Sequence, residues 1–191
     1  MGKLILVLGG ARSGKSTYAE GRAQELGGDK VLYAATSEVT DEEMRQRIQK
    51  HQGSRPTGWR TLEAPRDVAA AIRGQAGDAG AIIVDCLTVL VANLLVKATG
   101  PYDDPFADPV EDPYDEAIEA AIIAEVEALA GCAEHLPADL IVVSNEVGLG
   151  VVPPYELARA YRDVLGRANQ LVARRADEVI LLVAGIPMQV K

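Results

Sequence analysis

Apolar residues gather in five short runs, at residues 4–8, 31–35, 80–85, 139–144 and 179–184. Ala81-Ile82-Ile83-Val84 and Leu140-Ile141-Val142-Val143 are continuous rather than alternating, as expected of parallel strands covered by helices on both faces. Between the runs, residues 17–26, about 41–51, 87–97, 114–130 and 155–175 have the composition and spacing of helices. Strand and helix alternate along the whole chain, so the predicted fold class is α/β, a three-layer sandwich around a mostly parallel sheet. Thr40-Asp41-Glu42-Glu43 has capping-box spacing, in which Thr40 and Glu43 satisfy each other's backbone donors. The last helix is predicted to begin just after Pro153-Pro154, since proline is tolerated only at a helix start.

Residues 101–116 break the rhythm, with four of the ten prolines and seven of the 28 acidic residues. Proline and like charge both oppose packing, so this stretch is predicted to be a surface loop. No linker divides the rest, and 191 residues suffice for a single self-sufficient domain spanning 1–191. The net charge of -9 argues against a nucleic-acid partner, which would require clustered Lys and Arg. Cys86 and Cys132 are too few for a disulfide framework or zinc site, and Cys86 is expected as a reduced, buried thiol. There is no signal-peptide pattern and no run near the ~20 apolar residues that span a bilayer. A cytoplasmic protein without a membrane span is expected.

The chemistry begins directly after the first apolar run. Gly9-Gly10-Ala11-Arg12-Ser13-Gly14-Lys15-Ser16 is a complete G-x-x-x-x-G-K-S phosphate-binding loop between a buried strand and a helix. Its backbone N–H groups can curl around phosphate oxygens, Lys15 can reach the β and γ phosphates, and the Ser16 hydroxyl can ligate Mg²⁺. The following helix adds the positive end of its dipole. The predicted architecture is therefore P-loop NTPase-like. Asp85 closes the third apolar run, in Ile82-Ile83-Val84-Asp85, where a carboxylate suits Mg²⁺ binding at the carboxyl edge of the sheet. It would equally serve as an acid at the start of the next helix. Glu146, after Ser144-Asn145, shares that rim as a candidate for substrate or metal contact or as a plain turn residue. His51 ends a charged helix four residues before Arg55. A neutral imidazole there can attack phosphorus while Arg55 offers its fork to phosphate oxygens, but spacing alone does not bring His51 to Lys15, and a lone histidine of this kind is ordinarily a surface residue.

Taken together, these blocks resemble one family: the bifunctional adenosylcobinamide kinase and adenosylcobinamide-phosphate guanylyltransferase of cobalamin biosynthesis. The resemblance is carried by Gly9 to Ser16, Tyr33-Ala-Ala-Thr-Ser37, Arg47-Ile48, His51, Arg55-Pro56 and Trp59. It continues through Asp85-Cys-Leu-Thr88, Asn93-Leu-Leu95, Ser144-Asn-Glu-Val-Gly-Leu-Gly150, Val152-Pro153 and Gly166-Arg-Ala-Asn169-Gln170. It implies two reactions: ATP or GTP phosphorylates the aminopropanol hydroxyl of adenosylcobinamide, then GTP gives GMP to that phosphate, releasing pyrophosphate. By similarity His51 carries GMP as a phosphoramidate. Lys50 occupies a position where some relatives have a second histidine, and His135, in a Glu134-His135-Leu136-Pro137 turn, is expected at the surface.

The resemblance assigns nucleotide contacts to Gly9, Gly10, Ala11, Arg12, Ser13, Gly14, Lys15, Ser16, Ala35, Thr36, Ser37, Gln52, Gly53, Ser54, Arg55, Glu63 and Asp85. Ser16 and Asp85 are the expected Mg²⁺ ligands, and Lys15 joins His51 in catalysis. It also implies a homotrimer, and a corrinoid whose cobalt stays in its own macrocycle rather than on protein ligands. Two rivals bear on the same loop. A plain small-molecule kinase would leave His51 idle, and a GTP-dependent switch would want Asn-Lys-x-Asp, which Ser144-Asn145-Glu146-Val147 does not supply.

Overall fold

The computed structural model describes residues 1–38, 56–100 and 111–191. The helix expected over 41–51, its capping box, and most of the acidic loop lie outside these residues. Strand β1 (Leu4–Gly9) leads through the glycine loop into α1 (Lys15–Gly27), then β2 (Val31–Ala35). Next come β3 (Arg60–Glu63), α2 (Val68–Gln75), β4 (Ala81–Asp85) and α3 (Leu87–Thr99). The chain closes with α4 (Glu116–Ala130), a 3-10 turn (Gly131–His135), β5 (Asp139–Asn145), α5 (Glu156–Arg175), β6 (Glu178–Val183) and β7 (Ile186–Gln189). The five expected runs, and the expected helices other than that over 41–51, recur with ends that coincide or are displaced by one to a few residues.

Seven strands form one sheet in the order β3-β2-β4-β5-β1-β6-β7. Every pairing is parallel except β6 with β7. Successive residues of a strand point to opposite faces, and here both faces are dry. Leu4, Leu6, Ile82, Val84, Leu140 and Val142 pack against α2, α3, α4 and α5. Their neighbours Ile5, Val7, Ala81, Ile83, Ile141 and Val143 join a second cluster with Ala19 and Ala23 of α1. This explains why the runs are uninterrupted: no position in β1, β4 or β5 is exposed, and only Leu8 and strand-end residues are half-buried. The three layers follow from that double burial.

Three elements are not legible in the apolar pattern. Strand β3 buries only Leu62, and β7 is exposed throughout, so neither contributes an apolar run. Helix α2 has eight residues, and its amino end is satisfied from a distant part of the chain, Val68 N donating to Glu125 Oε1 at 2.8 Å. In the described part of the acidic stretch, Asp112 and Asp115 turn the chain. The Asp115 carboxylate accepts from Ala117 N at 2.6 Å, starting α4 at Glu116 rather than at Tyr114. Among the described residues no helix is long and apolar enough to cross a membrane.

Candidate functional site

The phosphate-binding sequence lies at the carboxyl edge of β1, with β5 on one side and β6 on the other. Gly9 has no room for a side chain: a Cβ would stand 2.5 Å from Ser13 Oγ and 2.6 Å from Leu182 O. Gly14, at φ 96°, takes a backbone turn that L side chains rarely adopt and so lets α1 begin at Lys15. The turn between β6 and β7 backs the loop, with Gly185 N donating to Ser13 O at 2.9 Å. Ser13 Oγ is buried and has no hydrogen-bond partner among the described residues. Gly10, Ala11 and Arg12 form the exposed crest, and Arg12 sits at φ 55°.

Lys15 is buried, and its Nζ donates to Gly10 O at 2.7 Å, folding the side chain back over its own loop. Burial lowers its pKa below the ordinary lysine value of 10.5, while the charges of Cys86 and Asp85 push the other way. Those opposing influences place Asp85 within electrostatic reach of Lys15. Asp85 is not on the strand next to β1: β5 lies between β4 and β1, a separation of about 10 Å at the usual strand spacing. Its Oδ2 accepts the phenolic hydrogen of Tyr33 at 2.5 Å. Ser16 is half-buried in the first turn of α1. A hydroxyl and a carboxylate are the hard oxygen donors that Mg²⁺ prefers.

The end of β2 is tied to the start of α3. Thr36 is fully buried, donates from Oγ1 to Cys86 O at 2.9 Å, and accepts from Cys86 N at 2.8 Å. Asn93 Nδ2 donates to Thr36 O and Pro65 O. The Thr36 side chain is thus spent on placing the Asp85–Cys86 junction. Ala35 and Ser37 are half-buried beside it, and Glu63 is exposed at the end of β3, level with Ala35. Cys86 is half-buried, less enclosed than expected because it opens α3 at the sheet edge, and Cys132 is buried; both are free thiols. Burial raises both thiol pKa values, reinforced at Cys86 by the Asp85 charge. Trp59 is occupied elsewhere, its Nε1 donating to Gln24 Oε1 and Gly28 O near the end of α1.

A buried polar network, not assigned from sequence, fixes the neighbouring rim. Ser144 Oγ donates to Asn169 Oδ1 at 2.6 Å, Asn169 Nδ2 to Asn145 O at 3.0 Å, and Asn145 N to Thr88 Oγ1 at 2.7 Å. Tyr161 donates to Thr88 O, and burial raises the pKa of its phenol, keeping it protonated. These bonds join α3, β5 and α5, and Glu146 N extends them to the phosphate loop by donating to Gly9 O at 3.1 Å. The signal was present in the Asp85 to Thr88, Ser144 to Gly150 and Gly166 to Gln170 blocks, whose residues meet only through the fold.

His51, Gln52, Gly53, Ser54 and Arg55 lie outside the described residues. His135 is exposed at the end of the 3-10 turn. The next residue's carbonyl accepts from Gly2 N, which puts His135 at the edge of the sheet opposite the phosphate loop.

A mostly parallel sheet with this loop at the carboxyl end of an interior strand and an acid two strands away defines a P-loop NTPase-like α/β protein. One solved structure, of the RadB recombinase, superposes with a TM-score of 0.50 over 94% of this chain and 73% of that one at 16% identity, a likeness of fold. Sequence narrows the class. The profile of the cobinamide kinase / cobinamide phosphate guanyltransferase family matches residues 5–190, and the chain belongs to that family. It is 44% identical over 190 residues to the bifunctional adenosylcobalamin biosynthesis protein CobU of Salmonella typhimurium, covering 98% of this chain and 99% of that protein. It is likewise 44% identical over 186 residues to the corresponding protein CobP of Pseudomonas aeruginosa, covering 97% and 96%.

Proposed function

We propose that both reactions of this bifunctional enzyme, phosphorylation of adenosylcobinamide and transfer of GMP to its phosphate, use the phosphate loop at the end of β1. The observation that carries this reading is Lys15, a buried cation folded over a glycine-built loop and within electrostatic reach of Asp85, two strands away. In the kinase step the acceptor hydroxyl oxygen bonds to the γ-phosphorus of ATP or GTP, the bridge to the β-phosphate breaks, and the hydroxyl proton goes to solvent. Loop amides and Lys15 neutralise charge on the transferring group. Ser16 and Asp85 would hold the Mg²⁺ that accompanies the nucleotide; when bound, it supplies further neutralisation of phosphate charge.

In the second reaction the ring nitrogen of His51 attacks the α-phosphorus of GTP, and pyrophosphate leaves with the bonding pair of the broken bridge. A phosphate oxygen of the acceptor then attacks the same phosphorus, and the P–N pair returns to the imidazole. His51 must be unprotonated to begin, which its ordinary pKa of ~6.5 permits near neutrality. The position of His135 at the far edge of the sheet supports His51 as the nucleophile. Gln52, Gly53, Ser54 and Arg55 would line the transferred nucleotide, with Ala35, Ser37 and Glu63 at the base or ribose; Thr36 acts through the placement of Asp85.

We read residues 1–191 as one cytoplasmic catalytic domain that assembles into homotrimers. Leu149 and Val151, exposed at 90% and 95% in the connection from β5 to α5, are apolar surface of the kind that assembly covers. The test is a product analysis with adenosylcobinamide, GTP and Mg²⁺. Wild type should yield adenosylcobinamide-GDP, whereas His51→Ala should stop at adenosylcobinamide phosphate. Full product from His51→Ala would remove the histidine from the mechanism.

A further inference from the structure

The phosphate loop opens toward α1, so on the functional reading above the nucleotide phosphates take that side of the sheet edge and leave the other side to the acceptor. A cleft of about 440 Å³ opens on the opposite, α5 side. Its lining includes Glu146, Gly148, Arg162, Gly166, Asn169 and Gln170. Its inner end is the end of β5, the strand between the phosphate-loop strand and the Asp85 strand. Glu146 ties that end to Gly9, and Asn169 ties α5 to Asn145. From there the cleft follows α5 outward to Arg162, two turns from Asn169 and so ~10 Å along the helix.

Two features mark this cleft as built for a ligand. Arg162 Nη1 is buried and has no hydrogen-bond partner among the described residues. Its helix neighbours are engaged: Arg159 donates to Pro153 O and Pro154 O, and Arg167 is paired with Glu119. A buried guanidinium nitrogen without an acceptor is costly unless a ligand supplies one, and phosphate oxygens match its planar fork. The second feature is Gly166, four residues on and hence on the same face. Nothing lies within 4 Å of where its Cβ would stand. The helix backbone is bare toward the cleft, leaving room for a bulky molecule.

We infer that the cleft between the β5–α5 connection and α5 seats the acceptor, and that Arg162 receives the phosphomonoester of the phosphorylated corrinoid before guanylyl transfer. This rests on the functional reading above. Donor and acceptor then approach from opposite faces of the sheet and meet over the end of β5. Arg162 binds the product of the first reaction more strongly than its substrate, because only the product carries a phosphate. The cleft thus retains the intermediate for the second step.

The test is equilibrium dialysis of adenosylcobinamide and adenosylcobinamide phosphate, followed by corrinoid absorbance, against wild type, Arg162→Gln and Gly166→Leu. Arg162→Gln should weaken binding of the phosphate ester by about 10- to 100-fold and leave adenosylcobinamide within about twofold. Gly166→Leu, which replaces a poor helix former by a good one, should weaken both corrinoids while GTP affinity is kept. Equal affinity of wild type and Arg162→Gln for the ester would overturn the assignment of Arg162. Unchanged corrinoid binding by Gly166→Leu, or parallel loss of GTP and corrinoid binding in both variants, would overturn the cleft as acceptor seat. If wild type binds neither corrinoid, the functional reading itself fails, a result distinct from the others.

Discussion

Tyr33 donates its phenolic hydrogen to Asp85 Oδ2 at 2.5 Å, from β2 to the adjacent strand β4, just where the sheet delivers Asp85 to the nucleotide edge. Tyr33 is buried, its ring packed in the apolar cluster beneath α1. The bond therefore holds the carboxylate from a rigid base. Tyr33→Phe keeps the ring and removes the donor. Since hydrogen bonds to charged groups contribute about 1.5–3 kcal/mol, turnover should fall roughly tenfold or more and more Mg²⁺ should be needed for half-maximal rate. A Mg²⁺ titration of both steps measures this; an unchanged Mg²⁺ requirement would detach Tyr33 from metal placement.

Gly9 is where the loop is least forgiving. Its added Cβ would meet Leu182 O at 2.6 Å, and a backbone oxygen of β6 cannot rotate aside. Gly9→Ala should displace the loop and weaken GTP binding by about tenfold or more, because several amides must converge on the phosphates at once. Isothermal titration with GTP reads the effect. Gly10→Ala, with open space around the new methyl, is the matched control and should bind more tightly than Gly9→Ala.

Lys15 gives the enzyme an alkaline limit. Burial lowers its pKa from 10.5, so as pH rises the folded chain gives up this proton before the unfolded chain does. In that window the unfolded state binds more protons, and this group's contribution to stability rises with pH. Nucleotide affinity moves the opposite way, since phosphate needs the cation. On the proposed mechanism the nucleophilic histidine must be unprotonated, so guanylylation should fall as pH drops through the ordinary histidine range of about 6.5 and again as Lys15 deprotonates. Lys15→Met should bind GTP on the order of 100-fold more weakly yet unfold no earlier than wild type in the absence of nucleotide. Thermal melts with and without GTP separate the two effects.

Asn169 bonds both Ser144 and the carbonyl of Asn145. Asn169→Leu would take the amide donor from the Asn145 carbonyl and leave Ser144 Oγ only its 3.5 Å contact with Thr88 Oγ1, at about 2 kcal/mol. For a chain of this size that lowers Tm by about 4–8 °C. Because β5 carries the rim between the phosphate loop and Asp85, turnover should drop as well. A normal melting temperature would show that water replaces the amide without cost.

Legibility from sequence divides along physical lines. Strands β1, β2, β4, β5 and β6 were readable because both of their faces are buried, which writes uninterrupted apolar runs into the chain. The phosphate loop was readable because its geometry is local, needing glycines and a lysine at fixed spacing. Asp85 was readable as a strand-end acid, but not its separation from β1, because strand order is set by how β5 inserts between them. Leu62 alone could not announce β3, and α2 depends on Glu125 from a distant helix. The Thr88, Ser144 and Asn169 network is assembled from three segments that sequence spacing cannot bring together. Arg162 gave no signal of its own; its meaning lies in a buried Nη1 that has no hydrogen-bond partner among the described residues, in a side chain that lines a cleft.

The central claim is that His51 carries GMP between the two substrates. Wild type and His51→Ala, incubated with α-labelled GTP and Mg²⁺, should differ completely in acid-labile, alkali-stable label on the protein. Wild type alone should take up the label, and adenosylcobinamide phosphate should discharge it into adenosylcobinamide-GDP. Wild type that turns over without ever becoming labelled, or equal label on both proteins, would contradict the account.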